Sequence, residues 1–455
     1  MARPSDTIAA LATPAGTSAL AILRVSGPDT ARLAREILGS PPPLRSAHHA
    51  HYRDRAGTAV DEALFTFFAG PHSYTGEDAL EISCHGNPFI AQKILEDLFA
   101  RGCRPALPGE YTQRAFLNGR LDLSQAEAVM DVIQARGERA LAAAQRLLSG
   151  ALSRHLRVLT DELLGALARI EAYIDFPDED LPTEDRGAVL AALESLQQGT
   201  GRLLATRHYG ELLRDGIKTV IIGEPNVGKS SLLNRLVGRD RAIVSPEPGT
   251  TRDFLEERII VGPHCLRLID TAGLSSAPGT VEALGIEKTW ERIREADLLL
   301  LVVDATHPTL PAAAELIAAL KTATTLVVLN KIDLLPGSST AAPLPGTLAG
   351  LPFVALSAKT GVGVGKLSEA IVSHADALRP AGDEDGVFIN ARHAHALAHA
   401  QECLAEAVLK LKANAPVELL ASDLRGALDA FGEISGKIDN ERMLDRLFAE
   451  FCIGK

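Results

Sequence analysis

The chain has few aromatic residues and few cysteines, the side chains that form base-stacking surfaces and thiolate metal sites. Aromatic residues make up 4% of its 455 positions, with one Trp and five Tyr, which disfavours an extended platform for stacking nucleic-acid bases. Its five cysteines are odd in number, scattered and without a CxxC pair, so neither a disulfide framework nor a cysteine metal site is indicated. Reduced thiols in a cytoplasmic protein fit this pattern best.

The sequence also lacks excess positive charge and long apolar runs. A formal net charge of -12 argues against binding nucleic acid by bulk electrostatics, although a local basic patch stays open. The amino terminus "MARPSDTIAA" has no apolar signal region, and the run "LLLLVV" at 298–303 is far below the ~20 residues that span a bilayer. We therefore expect neither export nor a membrane span.

What the chain does have is enough apolar residues, 46%, and enough length for about three globular domains. Residues 1–120 mix alternating apolar stretches with Gly/Pro turns and read as an α+β domain. Residues 121–215 and 380–455 show helical spacing, whereas strands and helices alternate over 216–379. The strand-like segments there are "KTVIIG", "HCLRLID", "DLLLLVVDA", "TTLVVLNK" and "PFVALSAK". We predict a multidomain α/β chain in which a doubly wound, mainly parallel α/β domain is inserted into a helical domain.

The segment "GEPNVGKS", Gly223–Ser230, fits the P-loop pattern between a predicted strand and a predicted helix. Its glycines let backbone N–H groups approach phosphate oxygens, Lys229 reaches the β and γ phosphates, and the Ser230 hydroxyl suits Mg²⁺. The alternative is a chance Gly-rich turn, which the flanking elements disfavour.

Four motifs follow in order: "GTTRD", "DTAG", "NKID" and "SAK". The set resembles the Ras-like, translation-factor-related GTPases, and that resemblance implies guanine recognition by Asp333 and a second Mg²⁺ ligand in Thr251. The residue after "DTAG" is Leu274, which cannot orient a water molecule as a Gln would. Glu282 is a candidate for that task, although it reads equally as a solvated carboxylate at a helix start, and Asn226 as a turn residue.

The whole chain resembles the MnmE (TrmE) family of tRNA modification GTPases. The most specific segments are "ILRVSGP", "PHSYTGEDALEISCHG", "RPALPGEYTQRAFLNGRLDLSQAEAV", "IEAYIDFPDED" and "FCIGK". The resemblance implies a homodimer that forms a heterotetramer with the FAD protein MnmG. It also implies addition of an aminomethyl or carboxymethylaminomethyl group at C5 of the wobble uridine of certain tRNAs. The carbon would come from a 5-formyl or methylene tetrahydrofolate bound by residues 1–120.

Residue by residue, the resemblance implies three further sites. The folate positions fall on Arg24, Glu81, Arg120 and Lys455; Arg120 departs from the usual Lys, and Asn87 from a usual Gly. A potassium ion that replaces an arginine finger would be held by Asn226, Ser245, Glu247 and Thr250. The water-orienting carboxylate falls on Glu282. The predicted GTP-binding set is Asn226, Val227, Gly228, Lys229, Ser230, Ser231, Ser245, Thr250, Thr251, Asp270, Thr271, Ala272, Gly273, Asn330, Lys331, Asp333, Ser357, Ala358 and Lys359.

The tail "FCIGK" places Cys452 where prenylated proteins carry theirs, but Gly454 and a final Lys455 fit that signal poorly. Cys452 is either a nucleophile or acid–base group beside the folate or a structural thiol. The tRNA contacts are open too: five arginines at 136, 139, 146, 154 and 157 line either a phosphate-binding helical face or a solvated one. The alternative function, a ribosome-assembly GTPase, usually carries a KH-like GxxG module or a basic tail, and neither is evident.

Overall fold

The computed structural model describes residues 6–40, 43–175, 183–239, 256–270, 292–308, 325–335, 348, 350–380, 386–436, 451 and 454. The chain divides into two compact units. One takes in residues 1–130, 147–193 and 402–455, and the other takes in 131–146 and 194–401. Among the helices in these ranges, none combines the length and apolar character needed to cross a membrane.

The N-terminal part contains a six-stranded sheet in the order β3-β4-β5-β2-β1-β6. All neighbours pair antiparallel except β1 and β6, which are parallel. Alternation of buried and outward residues along the strands explains why one face packs and the other stays accessible. The strands are β1 Ile8–Leu11, β2 Leu20–Ser26, β3 Ala47–Arg53, β4 Ala59–Phe68, β5 Ala79–His85 and β6 Arg104–Pro105.

The buried face of this sheet packs in one core cluster with two helices, α1 (Thr30–Leu38) and α2 (Pro88–Ala100). Leu33 and Ile94 from the helices and Leu80 from the sheet are fully buried there. A third helix, α3 (Glu110–Leu117), follows the sheet. The predicted α+β character of the N-terminal region is thereby confirmed.

The predicted helical stretch after residue 121 forms five helices. Glycines mark two of the breaks: Gly137 precedes the second helix of this group, and Gly150, with φ of +79°, precedes the third. The five are α4 Leu123–Gln134, α5 Glu138–Leu148, α6 Ala151–Asp175, α7 Thr183–Ala205 and α8 Arg207–Asp215.

A second six-stranded sheet follows, in the order β12-β11-β10-β7-β9-β8. Its pairs are parallel except β8 with β9, which is antiparallel and lies at the edge. Five of the strands are those that the sequence pattern predicts, so the doubly wound, mainly parallel sheet is confirmed. The elements are β7 Ile217–Ile222, α9 Lys229–Arg239, β8 Glu256–Val261, β9 His264–Asp270, β10 Leu298–Asp304, β11 Thr325–Asn330, β12 Phe353–Ala355 and α10 Val364–Ala377.

Apolar clusters lie on both faces of this sheet, as burial of a parallel sheet requires. Every residue of β10 before Asp304 is buried, which matches its unbroken run of Leu and Val. Two helices end the described chain, α11 (Ala391–Lys412) and α12 (Val417–Ser435), and α12 packs along α6. The α/β domain therefore interrupts a helical domain; the individual domain boundaries stay predictions.

Candidate functional site

The predicted P-loop connects β7 to α9, and two of its glycines make contacts that exclude any side chain. A Cβ on Gly223 would lie 2.2 Å from the Val302 carbonyl oxygen, and one on Gly228 would lie 2.3 Å from Asn330 Nδ2. Both have positive φ, +153° and +100°. At both glycines the backbone of the loop is therefore uncovered by side chains, and the loop leads into the N-terminus of α9. Phosphate oxygens bind to backbone N–H groups in this arrangement.

Lys229 lies over this loop. Its Nζ donates hydrogen bonds of 2.9 Å to the carbonyl oxygens of Gly223 and Glu224, which holds the ammonium group across the turn. Asn226 adopts a left-handed conformation with φ of +63°, so it is a turn residue by conformation whatever else it does. Ser230 and Ser231 are exposed in the first turn of α9.

Asn330 ties the P-loop to the "SAK" segment. It is 2% exposed, its Nδ2 donates to the Val227 carbonyl at 2.8 Å, and its Oδ1 accepts from the Ala358 amide at 2.9 Å. Because the carboxyl ends of parallel strands meet at one sheet edge, the end of β11 lies beside both segments. The P-loop therefore depends on a tertiary contact with Asn330 as well as on its own sequence.

Lys331 also contributes to this edge. Its φ is +67°, and its Nζ lies 2.6 Å from Asp304 Oδ2. Burial alone would raise the pKa of Asp304, but the hydrogen bonds from Lys331 and Thr306 outweigh it, and the pKa lies below its usual value. The carboxylate consequently stays ionised and keeps Lys331 in place.

The predicted base-recognition residues follow the carboxyl ends of β11 and β12. Asp333 is exposed in a short 3₁₀ turn, Ile332–Leu334, whereas Ser357 is fully buried and accepts from the Thr360 amide at 3.1 Å. Sequence reasoning missed Arg235 on α9, whose Nε and Nη2 donate to the carbonyls of Ala358 and Lys359 at 3.1 and 2.5 Å. No motif signals this residue, because its role depends on α9 lying beside "SAK".

Several predicted residues lie outside the described ranges, so their geometry stays a prediction. Asp270 ends β9, and its backbone pairs in register with that of Ile221 on β7. The predicted second Mg²⁺ ligand, the remaining potassium ligands and the predicted water-orienting carboxylate belong to this group. The residues concerned are Ser245, Glu247, Thr250, Thr251, Thr271, Ala272, Gly273, Glu282, Cys452 and Lys455.

Two of the four folate residues predicted from resemblance, Arg24 and Glu81, meet on the N-terminal sheet. Arg24 and Glu81 are cross-strand partners on β2 and β5, and Arg24 Nε and Nη2 lie 3.1 and 2.7 Å from Glu81 Oε1. Arg24 Nη1 also donates to the Gly454 carbonyl at 3.4 Å. A Cβ on Gly454 would lie 2.5 Å from the Leu11 carbonyl, so the tail backbone contacts β1 directly. The structure thus brings the end of the chain to this ion pair.

Arg120, the fourth predicted folate residue, is exposed just after α3. Its side chain lies beside Gly76, where a Cβ would come within 3.2 Å of Arg120 Cγ. Phe451, next to the predicted reactive thiol, is buried with Leu123 and Ala126. The tail is therefore anchored on both sides of Cys452, at Phe451 and Gly454.

A buried charge cluster that sequence reasoning missed lies in the same unit. Arg114 is 0% exposed, and its guanidinium nitrogens lie 2.8, 3.2 and 2.9 Å from carboxylate oxygens of Asp6, Glu77 and Glu110. Burial would raise the pKa values of Asp6 and Glu110, but hydrogen bonds from Arg104 and Arg114 hold both below their usual values. The segment "PGEYTQRAF" has two of these residues, Glu110 and Arg114, at i and i+4, which is the available signal.

The five arginines considered for tRNA do not lie on one helix, so the expectation of one shared helical face was wrong, while their contact with tRNA stays a prediction. Arg136 precedes α5, two lie on α5 and two on α6, because Gly137 and Gly150 break the helical run. Arg139 pairs with Asp376 at 3.2 Å. Asn87, a departure from the family pattern, caps α2, since its side chain accepts from the Phe89 amide at 2.9 Å.

Comparisons with known proteins agree over the whole chain. Two family models match, "MnmE helical domain" at residues 123–452 and "GTP-binding protein TrmE N-terminus" at residues 7–120. The chain is similar to proteins named tRNA modification GTPase MnmE from Opitutus terrae (59% identical, 99% of each chain) and Akkermansia muciniphila (43% identical, 100% of each chain). A solved G domain of the T. maritima FeoB iron transporter is 28% identical over 35% of this chain and 98% of its own, but its TM-score of 0.25 carries no weight.

Proposed function

This chain belongs to the MnmE family of tRNA modification GTPases, and from that premise we propose that it uses a tetrahydrofolate-bound carbon to modify C5 of the wobble uridine. Membership makes it a GTP hydrolase that acts in tRNA wobble uridine modification, with GTP as nucleotide and Mg²⁺ as metal. The product is an aminomethyl or carboxymethylaminomethyl uridine, made with the FAD protein MnmG in the cytoplasm.

The observation that carries the folate proposal is the meeting of Arg24, Glu81 and the Gly454 carbonyl. Arg24 and Gly454 are 430 positions apart, yet a hydrogen bond joins them. Arg24 and Glu81 keep 20% and 31% of their side-chain surface accessible, so a ligand can reach the pair. A guanidinium and a carboxylate side by side match the mixed donor and acceptor edge of a reduced pterin. Lys455 follows Gly454 directly and would join them.

In the nucleotide site, the residues of the chain position GTP, the metal ions and water, and none of them forms a covalent bond with the nucleotide. The P-loop backbone and Lys229 would bind the phosphates, and Ser230 and Thr251 would hold Mg²⁺, which would supply positive charge beside the phosphate oxygens. Asn226, Ser245, Glu247 and Thr250 would hold a potassium ion, and Glu282 would orient the water. Leu274 is compatible with this assignment because the carboxylate replaces the missing Gln.

We place a homodimer at the N-terminal sheet. Leu20 on β2 and Leu64 on β4 point away from the packed face and are 61% and 44% exposed. Arg24 and Glu81 lie on that same outward face, so a second copy covering it would border the folate. Light scattering of the purified chain should give twice the monomer mass, with Leu64→Glu shifting it toward the monomer; a monomeric wild type would contradict the assignment.

The direct experiment is label transfer. Purified chain, the flavin partner, tRNA, GTP, an amine donor (ammonium or glycine) and methylene-tetrahydrofolate labelled with ¹³C at the transferred carbon are incubated in potassium buffer. Mass spectrometry of the nucleosides should show the label on the wobble uridine. Modified but unlabelled uridine would exclude folate as the carbon source while leaving the GTPase assignment intact.

Two substitutions separate the chemistry of the two sites. Glu282→Ala should abolish GTP hydrolysis while GTP binding stays nearly intact, because the carboxylate orients water and does not hold the nucleotide. Cys452→Ser should abolish modification while hydrolysis persists. Normal turnover in the first variant, or retained modification in the second, would remove the role assigned to that residue.

The ion assignment has its own measurement. Hydrolysis should be faster in potassium than in sodium at equal ionic strength, since the smaller ion fits a loop of backbone oxygens poorly. Equal rates in the two salts would exclude the potassium site.

A further inference from the structure

Residues 73–78, "SYTGED", form a loop that links two predicted folate residues far apart in sequence. At Gly76, which has φ of +78°, the loop contacts the stem of Arg120, and Asn118 Nδ2 donates to the Thr75 carbonyl at 2.8 Å. Two residues before Gly76, the loop carries Tyr74, whose ring lies close to the Arg24 guanidinium. The 73–78 loop therefore borders both arginines of the site.

The guanidinium of Arg24 lies close to two tyrosine rings. Its guanidinium carbon lies 5.6 Å from the ring centroid of Tyr74 and 5.7 Å from that of Tyr111, within the range of cation–π attraction. Tyr111 is fully buried and donates from its hydroxyl to the Arg24 carbonyl at 2.6 Å. Tyr74 is 37% exposed, so of the two rings it is the one that a ligand could contact.

The loop itself is fixed by buried polar contacts. Glu77 accepts from Ser26 Oγ at 2.8 Å and pairs with the fully buried Arg114 at 3.2 Å. Thr75, 1% exposed, shares a 2.7 Å hydrogen bond with the same Ser26. Because these contacts fix both neighbours of Gly76, the ring of Tyr74 is placed by the core and not by chance packing at the surface.

We propose that Tyr74 and Tyr111 form an aromatic clamp that positions Arg24 for the folate, which makes Tyr74 a positioning residue of the one-carbon site. This inference rests on the proposed function. An arginine that is already paired with Glu81 and lies within cation–π range of two rings loses little side-chain freedom when the ligand binds. The clamp accordingly acts on folate affinity and not on the rate of the chemical step.

The test is calorimetric titration of full-length wild type and variants with 5-formyltetrahydrofolate. Tyr74→Leu should bind about tenfold more weakly, because the exposed ring of the clamp is lost. Tyr74→Phe keeps the ring but loses the hydroxyl contact with Thr112, a 2.8 Å hydrogen bond, and should bind within about twofold of wild type. In a modification assay, Tyr74→Leu should raise KM for the folate and leave kcat unchanged.

A matched control is Phe89→Leu. Phe89 is 66% exposed and also faces a cation, with Lys93 Nζ 5.2 Å from its ring centroid, but it lies on α2 at the start of the helix that covers the opposite sheet face. Folate affinity should not change in this variant. A parallel loss in Phe89→Leu would mean that any lost surface aromatic weakens binding, which contradicts a specific clamp.

The outcomes separate the clamp from the folate site. If Arg24→Ala loses binding and Tyr74→Leu binds as wild type does, the clamp is wrong and the site stands. If Tyr74→Phe is as weak as Tyr74→Leu, the hydroxyl and not the ring positions Arg24, which also overturns the clamp. If wild type binds no folate at all, the proposed function fails, and the clamp fails with it.

Discussion

The nucleotide site and the proposed folate site of this protein are assembled in different ways. The residues predicted to contact phosphate occupy eight consecutive positions, Gly223–Ser230, whereas the proposed folate site draws on Arg24, Glu81, Arg120 and the tail at Gly454, four separate parts of the chain. The first site depends on local backbone shape, as the positive φ of Gly223 and Gly228 shows. The second depends on strand pairing and buried charge. A site of the first kind can be recognised in one stretch of sequence although it still rests on tertiary contacts such as that of Asn330 with Val227, whereas the residues of the second kind of site meet only in the folded chain.

The largest expected effect concerns the buried charge under the folate site. Arg114→Met should lower the free energy of unfolding of the N-terminal unit by about 3–5 kcal/mol, because Glu77 and Glu110 lose their buried partner. Urea unfolding followed by circular dichroism measures it. The control is Arg32→Met, an exposed arginine paired with Glu36, which should change stability by less than about 0.5 kcal/mol. Equal effects would show that the buried cluster carries no special stability.

The nucleotide site has one comparable weak point, Asn330. Its replacement by Ala leaves the Val227 carbonyl and the Ala358 amide without their partner and should weaken GTP binding about 100-fold. Fluorescent-nucleotide titration gives the affinity. Asn234→Ala, at an exposed position on α9, should bind like wild type. An unchanged affinity for Asn330→Ala would mean that the P-loop does not need the link to "SAK".

Acid should affect the N-terminal unit through Glu110. Burial acts to raise the pKa of Glu110, but hydrogen bonds from Arg104 and Arg114 hold it below its usual value. The stabilisation is therefore fully present above the ordinary glutamate pKa and is lost as pH falls through the lowered one. Urea midpoints measured from pH 6 downward should fall more steeply for wild type than for Glu110→Gln. Parallel curves would contradict this contribution.

The smallest effect is on thiol reactivity. Burial raises the pKa of Cys84 to about 11 and that of Cys103 to about 12, so both are thiols and not thiolates at pH 8. Peptide mass spectrometry after brief iodoacetamide treatment should find Cys403, which is partly exposed, alkylated before either of them. Early labelling of Cys84 or Cys103 would show that the sheet opens readily.

The difference between a site of consecutive residues and a site of distant ones explains what could be predicted from the sequence. The P-loop and the five parallel strands follow from local patterns, since glycine spacing and β-branched runs have the same meaning in any fold. The edge strand β8 was missed because "EERIIV" begins with charged residues and has no long unbroken apolar run. Arg24 could be assigned only by family resemblance, and Tyr74, Arg114 and Arg235 not at all, because each acts on a partner that only the tertiary fold brings near.

The measurement that tests the account most directly is the composition of the wobble uridine in living cells. Nucleosides of tRNA are analysed by mass spectrometry in strains whose only copy carries Lys229→Ala or Arg24→Ala, beside wild type and a deletion. If the nucleotide site and the folate site both serve one reaction, each variant will accumulate unmodified uridine as the deletion does. Full modification in either strain would contradict the claim that both sites belong to the same activity.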